Sequence, residues 1–104
     1  MLQGIFYKFE KDNINKITKE FLLKEISQVV YTEIIKDKII HCTIMTYNGF
    51  SFTGEAAAVV PKNFVREIGE EIAYENAFEK MWLPYGFMLQ EFFLQKSHPH
   101  KNLI

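Results

Sequence analysis

Aromatic rings and hydrogen-bond donors occur close together in the sequence between Phe50 and Arg66. Phe50 and Phe52 offer flat faces on which a nucleobase can stack, and Asn63 offers a hydrogen-bonding amide. Arg66 is the single arginine of the chain, and a guanidinium binds phosphate through two parallel hydrogen bonds. Aromatic faces combined with such donors suit a nucleotide-like ligand.

The same stretch predicts the start of a helix at Pro61, because proline is favoured at the first helical position. The first backbone N–H groups of a helix lack partners within it, and its positive dipole end attracts anions. Val60 stands at the expected N-cap position without a side-chain acceptor, so these N–H groups need water, another residue or a ligand. Because such helix starts are common, a solvated helix start remains the alternative interpretation.

Other reactive side chains fit structural roles better. The spacing of His98 and His100 is acceptable to a metal, but supporting cysteines or carboxylates are absent nearby in the sequence, which favours a plain polar tail. Adjacent strand residues point to opposite faces, so His41 and Cys42 should not touch, and a thiol nucleophile is not expected. The glutamates of 67–79 fit a solvated helix face. No residue set favours an enzyme, and no metal or cofactor is expected.

Composition and charge exclude several classes of protein. A chain of 104 residues with a formal net charge of −1 forms one domain and lacks the clustered cationic face of a DNA- or RNA-coating protein. Cys42 is the single cysteine, and neither a signal peptide nor a long apolar run occurs, so a cytoplasmic location without membrane contact is expected. The 10 phenylalanines are many for a small monomer and indicate a pocket or a homo-oligomer interface.

The local pattern predicts the elements that must position these side chains. Residues 1–13 mix aromatic and charged residues and indicate a short strand or an extended arm. Thr18 can cap a helix over 19–27. Asn48-Gly49 favours a type I′ hairpin turn, which needs positive φ at both positions. Strand-forming residues predict an antiparallel meander with strands near 29–35, 39–47 and 50–57.

A long helix is predicted from Pro61 to about Trp82 by apolar residues at helical spacing. Gly69, Ala73 and Ala77 form a stripe of small residues along it, at four-residue spacing. Glycine costs about 1 kcal/mol relative to alanine inside a helix. The stripe therefore favours close contact with another backbone, which can be the sheet, the last helix or a symmetry mate.

The C-terminal part is predicted as a second helix followed by a tail. Pro84 and Gly86 should break the chain before a helix over 86–96, and 97–104 should be polar tail. The sequence thus predicts one α+β domain over 1–104. In this domain a three-stranded antiparallel meander packs with a short N-terminal helix and two C-terminal helices.

The motifs between residues 39 and 91 together resemble a family of small tailed-phage proteins. The family's hairpin contains Asn-Gly-Phe, its last strand ends in Gly-Glu, and Pro-x-Asn-Phe opens a helix with Ile-Gly, Ile-Ala, Asn-Ala, Lys and Trp at fixed spacing. This chain carries these motifs at Asn48-Gly49-Phe50, Gly54-Glu55, Pro61, Asn63-Phe64, Ile68-Gly69, Ile72-Ala73, Asn76-Ala77, Lys80, Trp82 and Gly86-Phe87.

The resembled family includes, or lies very close to, the Thoeris anti-defence proteins of the first type. The resemblance implies a sponge that binds a cyclic ADP-ribose derivative made by bacterial TIR-domain proteins and does not cleave it. It also implies cyclic oligonucleotides as ligands of some members, and assembly as a homodimer or a higher homo-oligomer. On this resemblance the expected ligand-binding residues are Phe50 or Phe52 for stacking, Asn63 and Asn76 for hydrogen bonding, and Arg66 or Lys80 for phosphate charge.

The chain departs from the family pattern at Ala58, Val60, Val65 and Tyr85, where the family often has Cys, Asp, Asp and Glu. These changes remove polar groups near the predicted helix start. A second interpretation is a small phage interaction module that binds a host protein through an aromatic surface. The high phenylalanine content and the small-residue stripe favour that alternative.

Overall fold

The computed structural model describes residues 2–97, and these form an α+β structure as predicted. The elements are α1 Leu2–Lys11, α2 Lys19–Glu25, β1 Ile26–Ile35, β2 Ile39–Thr46, β3 Ser51–Ala57, a 3₁₀ turn Pro61–Asn63, α3 Arg66–Glu79 and α4 Trp82–Ser97. His98, His100 and the predicted tail beyond Ser97 lie outside the described residues. Within residues 2–97, no helix combines the length and the apolar character needed to span a bilayer.

The three strands form one antiparallel sheet in the order β1-β2-β3, so the predicted meander is confirmed. Tyr31, Cys42 and Gly54 lie opposite one another across it. β2 is the central strand, and alternate side chains along it are buried. Cys42 is fully buried on the covered face, whereas His41 is half-buried on the other face, as their adjacent positions predict.

β1 is an edge strand with two interruptions in its pairing to β2. The register shifts between Ile26 and Gln28 and again between Glu33 and Ile35. Both shifts have the form of β-bulges, which bend a strand and strengthen its twist. The edge of β1 that faces away from β2 is therefore irregular at both ends.

The short helix α2 is capped as predicted but ends earlier. The Thr18 side chain accepts a hydrogen bond from the backbone N–H of Phe21 at 3.1 Å. α2 ends at Glu25 rather than Ser27, because Ile26 already has extended backbone angles and belongs to β1. The helix therefore passes into the strand without a loop.

The β2–β3 hairpin closes through a wider loop than a two-residue type I′ turn. The Gly49 N–H donates to the Thr46 carbonyl at 3.0 Å, and the Thr46 N–H donates to the Phe50 carbonyl at 2.9 Å. Gly49 has a φ of 86°, but Asn48 is not among the positive-φ residues. The type I′ prediction is therefore wrong, and the geometry is that of a three-residue loop ending in a left-handed glycine.

α3 lies directly on the sheet, and its small residues explain the close approach. A Cβ added at Gly54 would lie 2.4 Å from the Ala77 backbone nitrogen and 2.6 Å from the Ala73 carbonyl oxygen. Gly69 lies against the side chain of Ile40. Of the three backbones that the stripe of small residues allowed, the sheet is the one in contact.

Residues 1–13 contain the helix α1, so the predicted strand or extended arm is wrong. Ile5 and Phe9 lie one helical turn apart and are both buried. The rings of Phe6 and Phe9 each lie 5.5 Å from the ring of Phe92 on α4. The charged residues of this segment favour an extended arm, but burial of the apolar stripe against α4 stabilises the helix by more.

α3 begins five residues later than predicted. Pro61 opens a 3₁₀ turn that ends at Asn63, and Arg66 is the first residue of α3. The N-cap is Val65, which makes no side-chain capping bond. The predicted helix start at Pro61, with Val60 as its cap, is therefore wrong. The 3₁₀ turn forms because Asn63 N–H bonds to the Val60 carbonyl three residues back at 2.9 Å.

The break between the two C-terminal helices also differs from the prediction. α3 ends at Glu79 and α4 begins at Trp82, so the break lies at 80–81 and not at Pro84 and Gly86. Pro84 lies in the first turn of α4, where its missing N–H is not needed. α4 therefore extends through Gly86 to Ser97.

Candidate functional site

A buried carboxylate lies beneath the β2–β3 hairpin loop. Glu25, the last residue of α2, is 3% exposed. Its Oε2 accepts a hydrogen bond from Lys8 Nζ on α1 at 2.7 Å, and its Oε1 accepts one from the Tyr85 hydroxyl on α4 at 3.0 Å. The side chain thus joins three helices, because a buried charge requires partners of this kind.

Tyr85 acts as a neutral hydrogen-bond donor in this cluster. Burial, followed by the nearby Glu25 carboxylate, raises the pKa of the Tyr85 hydroxyl well above its ordinary value, and Thr46 opposes this shift. The phenol therefore keeps its proton at every physiological pH.

Thr46 and Asn48 connect the cluster to the hairpin loop. The buried Thr46 hydroxyl donates to Asn48 Oδ1 and accepts from the Phe50 backbone N–H at 3.2 Å. Asn48 Oδ1 also accepts from the Phe50 N–H at 3.3 Å. These bonds order the loop residue Asn48 and the adjacent Phe50 close to Glu25 and Tyr85.

Two small cavities lie on either side of Asn48. The apolar compartment has a volume of about 120 Å³ and is lined by Asn48, Phe50, Phe52, Pro84, Tyr85 and Met88. The charged compartment has a volume of about 170 Å³ and is lined by Gly4, Ile5, Lys8, Glu25, Tyr47 and Asn48. Asn48 belongs to both walls, so the two compartments adjoin.

The predicted stacking residues Phe50 and Phe52 meet in the apolar compartment. Their ring centroids are 5.4 Å apart at an angle of 60°. Phe50 is 55% exposed, whereas Phe52 is buried beneath it. An exposed ring supported from below by a second ring can stack on a planar group without being displaced.

Asn63 and Arg66 lie at a different place. Asn63 borders a separate cavity of about 150 Å³ between the end of β3 and the first turns of α3. Arg66 is held by carboxylates, because its Nε donates to Glu70 at 2.9 Å and its Nη1 lies 3.3 Å from Glu33. The hydrogen bond to Glu70 raises the pKa of the Arg66 guanidinium further.

Asn76 and Lys80 lie towards the other end of α3. Asn76 Nδ2 donates to the Glu55 carbonyl at 2.8 Å, and this bond fastens α3 to β3. Lys80 is exposed at the C-cap. At 1.5 Å per residue, Arg66 and Lys80 are about 21 Å apart along the helix axis. Of the six predicted ligand-binding residues, the structure brings only Phe50 and Phe52 into one cavity.

Lys8, Glu25 and Thr46 were not predicted as site residues. Glu25 gave one signal in the sequence, since it occupies a position on the apolar face of the helix that also carries Phe21 and Leu22. A carboxylate there is buried when that face packs. Lys8 and Tyr85 gave no signal, because they reach Glu25 from helices 17 and 60 residues away in sequence.

The thiol of Cys42 lies in the core between the sheet and α3. Burial, with a smaller contribution from Glu70, raises the pKa of the Cys42 thiol, so the reactive thiolate is disfavoured. Within residues 2–97, no group of three or more His, Cys, Asp or Glu side chains is arranged to hold a metal ion.

α4 presents an exposed apolar face away from these compartments. Leu83 is 83% exposed and Phe87 is 64% exposed. An open groove of about 470 Å³ runs along the same helix past Gln90 and Phe93 to Ser97. Helices of small domains normally bury such a face, whereas this face of α4 is uncovered in the described structure.

One comparison with known proteins gives a match. The sequence model described as the Phage protein (N4 Gp49/phage Sf6 gene 66) family matches residues 11–93. No curated protein and no solved structure matches the chain. The matched range includes Glu25, Thr46, Asn48 and Tyr85 and begins after Lys8.

Proposed function

This chain belongs to the Phage protein (N4 Gp49/phage Sf6 gene 66) family, and from that premise we propose that it is an anti-defence protein. In this proposal it binds a cyclic ADP-ribose-type signalling nucleotide, holds it without cleavage and thereby blocks Thoeris immunity in the host cytoplasm. The resemblance of its motifs to the Thoeris anti-defence proteins supports this function. Cyclic oligonucleotides are proposed as further ligands.

The observation that carries the proposal is the pair of adjoining compartments around Asn48. One compartment is aromatic and apolar, and the other contains Lys8 and Glu25. A nucleotide of this type has two kinds of surface as well: the apolar faces of its base, and the polar groups of the base edge, the ribose and the phosphates. Phe50 is proposed to stack on a base, with Phe52 supporting it from below.

Sequestration requires tight binding without turnover, and a preformed site favours both. The hydrogen bonds of Thr46 and Asn48 fix the loop before a ligand arrives, so little conformational entropy is lost on binding. Asn63, Arg66, Asn76 and Lys80 remain proposed ligand contacts. Because they lie away from Phe50 within one chain, they are proposed to reach a ligand from a second copy.

We propose a homodimer or a higher homo-oligomer that covers the exposed face of α4. The exposure of Leu83 and Phe87 supports this assembly. Light scattering coupled to size-exclusion chromatography tests it. Leu83→Lys combined with Phe87→Glu should shift the mass to that of the monomer, and a wild-type mass already equal to the monomer contradicts the proposal.

Calorimetric titration with a cyclic ADP-ribose isomer tests the function. Binding should weaken in Phe50→Ala by about 1–3 kcal/mol, the usual contribution of one stacked base. Tyr7→Ala is the matched control, because Tyr7 is also an exposed ring, at 67%, and lines neither compartment. The ligand should be recovered intact after heating the complex. Recovery of a hydrolysed product, or no binding of any isomer, contradicts the proposal.

A second candidate function is an interaction module for a host protein. The uncovered apolar face of α4 supports it, because such a surface also fits a partner helix. The two candidates predict different results in one pair of experiments. The interaction module is favoured by two results together. Cyclic nucleotides should give no thermal shift, and the wild type should capture a host protein that the Leu83→Lys, Phe87→Glu variant does not capture.

A further inference from the structure

The carboxylate of Glu25 retains acceptor capacity on the wall of the charged compartment. An ionised carboxylate offers about four lone-pair positions. Two of these are used in the described structure, one on Oε2 by Lys8 and one on Oε1 by Tyr85. Glu25 is only 3% exposed to solvent, yet it lines this cavity. A group that enters the compartment therefore meets a fixed anionic acceptor.

The wall of the charged compartment also offers donors. Asn48 uses Oδ1 to accept bonds from Thr46 and Phe50, which fixes its orientation and directs its Nδ2 donors elsewhere. No described residue accepts a hydrogen bond from Asn48 Nδ2. Lys8 Nζ has three donors and uses one of them on Glu25. The compartment thus combines one strong acceptor with two kinds of donor.

The size and the rim of the compartment restrict what can fill it. Its volume of about 170 Å³ lies below the roughly 300 Å³ at which pockets for whole drug-sized ligands begin, so it fits one ring system. Tyr47, which is 69% exposed, stands at the rim with a flat face free to stack. A flat ring with both a hydrogen-bond donor and an acceptor on its edge satisfies all of these features.

We propose that the charged compartment binds the amino-bearing edge of a purine base. Glu25 accepts a hydrogen bond from the exocyclic amine, Asn48 Nδ2 donates to a ring nitrogen, and Tyr47 covers the face of the base. This assignment rests on the proposed function, since it identifies the base that such a nucleotide presents. Such a ligand carries one base, so Phe50, across Asn48 in the adjoining compartment, stacks on the other face of the same base.

The anionic acceptor gives this pocket a preference for amine over carbonyl. A base that carries a carbonyl oxygen in place of the amine points a lone pair at Glu25 and leaves the carboxylate without its new partner. The carboxylate attracts the N–H of an amine and repels the carbonyl oxygen that replaces it, so the two bases differ in affinity. Adenine should therefore bind more tightly than hypoxanthine.

Titration of the wild-type chain with AMP and with IMP, monitored by NMR, is the first test of the assignment, and two variants then refine it. AMP should bind about tenfold more tightly than IMP, with the largest shifts at Tyr47 and Asn48. Glu25→Gln should reduce the ratio to below about threefold. Tyr47→Ala, which removes an exposed ring and leaves the buried cluster intact, should weaken AMP binding while preserving the preference.

The outcomes separate this inference from the proposed function. Equal binding of AMP and IMP, or a preference that survives Glu25→Gln, overturns the inference even where a cyclic ADP-ribose isomer binds. A preference for AMP that depends on Glu25, without binding of any cyclic isomer, supports the base pocket and overturns the sequestering function. Absence of binding by AMP, IMP and every cyclic isomer overturns both. Where Glu25→Gln fails to fold, the AMP-to-IMP ratio of the wild type and the shifts at Tyr47 decide.

Discussion

Replacing Gly54 with alanine tests how closely α3 is held against the sheet. The new Cβ would lie 2.4 Å from the Ala77 backbone nitrogen, where ordinary contact begins at 3.4 Å. Both nearest atoms, on Ala77 and on Ala73, belong to the helix backbone and cannot rotate away. α3 must therefore move about 1 Å from β3 along its central turns.

This displacement has two energetic consequences. Overfilling a packed contact costs about 3 kcal/mol at the upper end of the usual range. The hydrogen bond from Asn76 to the Glu55 carbonyl, now 2.8 Å long, would be stretched beyond bonding distance, which costs about 1 kcal/mol more. Gly54→Ala should thus lower the free energy of unfolding by about 4 kcal/mol, a large part of the 5–15 kcal/mol typical of a domain.

Urea unfolding followed by circular dichroism measures this change, and the melting temperature should fall by about 15–30 °C. Gly86→Ala is the matched control, because a Cβ added at Gly86 meets no atom within 4 Å. It should stabilise α4 by up to about 1 kcal/mol. Gly69→Ala, where the flexible Ile40 side chain lies at 3.2 Å, should fall between the two. A Gly54→Ala variant within about 1 kcal/mol of wild type would refute this account of the α3–sheet contact.

Four further predictions concern the buried cluster and the cap of α2. Tyr85→Phe removes the donor to Glu25 and should cost about 2 kcal/mol in urea unfolding. The folded-state pKa of Tyr85 is raised, so above about pH 10 the Tyr85 phenol loses its proton only in the unfolded chain. The free energy of unfolding of the wild type should therefore fall as pH rises above about 10. If Tyr85→Phe shows the same alkaline profile as the wild type, this explanation is contradicted. Lys8→Met leaves Glu25 with one partner and, since Lys8 is partly exposed, should cost about 1–2 kcal/mol, with Lys8→Arg as the control that retains a cation. Thr18→Ala should cost about 1 kcal/mol while Thr18→Ser stays near wild type, and equal losses in both variants would exclude the capping bond to Phe21.

The sheet and the cap of α2 were predictable because their signals are local. β-branched residues with period two identify β2, and a Thr–Phe spacing of three identifies the cap. The small residues at Ala73 and Ala77 predicted a close backbone neighbour, which proved to be the sheet. Each of these features depends on residues close in sequence.

The errors occurred where packing outweighs a local signal. Pro61 fits a helix start, but it opens a short 3₁₀ turn, and α3 begins only at Arg66. In the first segment, Ile5 and Phe9 carried a helical spacing that the surrounding charges obscured. Gly49 adopts the left-handed conformation expected of it, but Asn48 does not, because the hairpin closes through a three-residue loop in which only the last residue is left-handed.

The candidate site was predictable only in part. Phe50 and Phe52 are neighbours on one strand, so their meeting follows from the sequence. The cluster around Glu25 depends on the packing of α1 and α4 against α2, and no local pattern encodes that packing. Arg66 was an attractive phosphate ligand on chemical grounds, but its carboxylate partners come from β1 and from the next turn of α3.

The irregular edge of β1 bears on how much of this protein a cell can hold. Under the proposed sequestering function the protein acts in proportion to its number of copies, so it has to accumulate to high concentration to be effective. At such concentrations a straight, unpaired strand edge recruits further chains and leads to aggregation, and β1 exposes Val30, Ile34 and Ile35. The two bulges of β1 and the acidic Glu33 between them oppose this pairing. Straightening the strand by deletion of a bulge residue should therefore reduce the soluble yield before it reduces the affinity for any ligand.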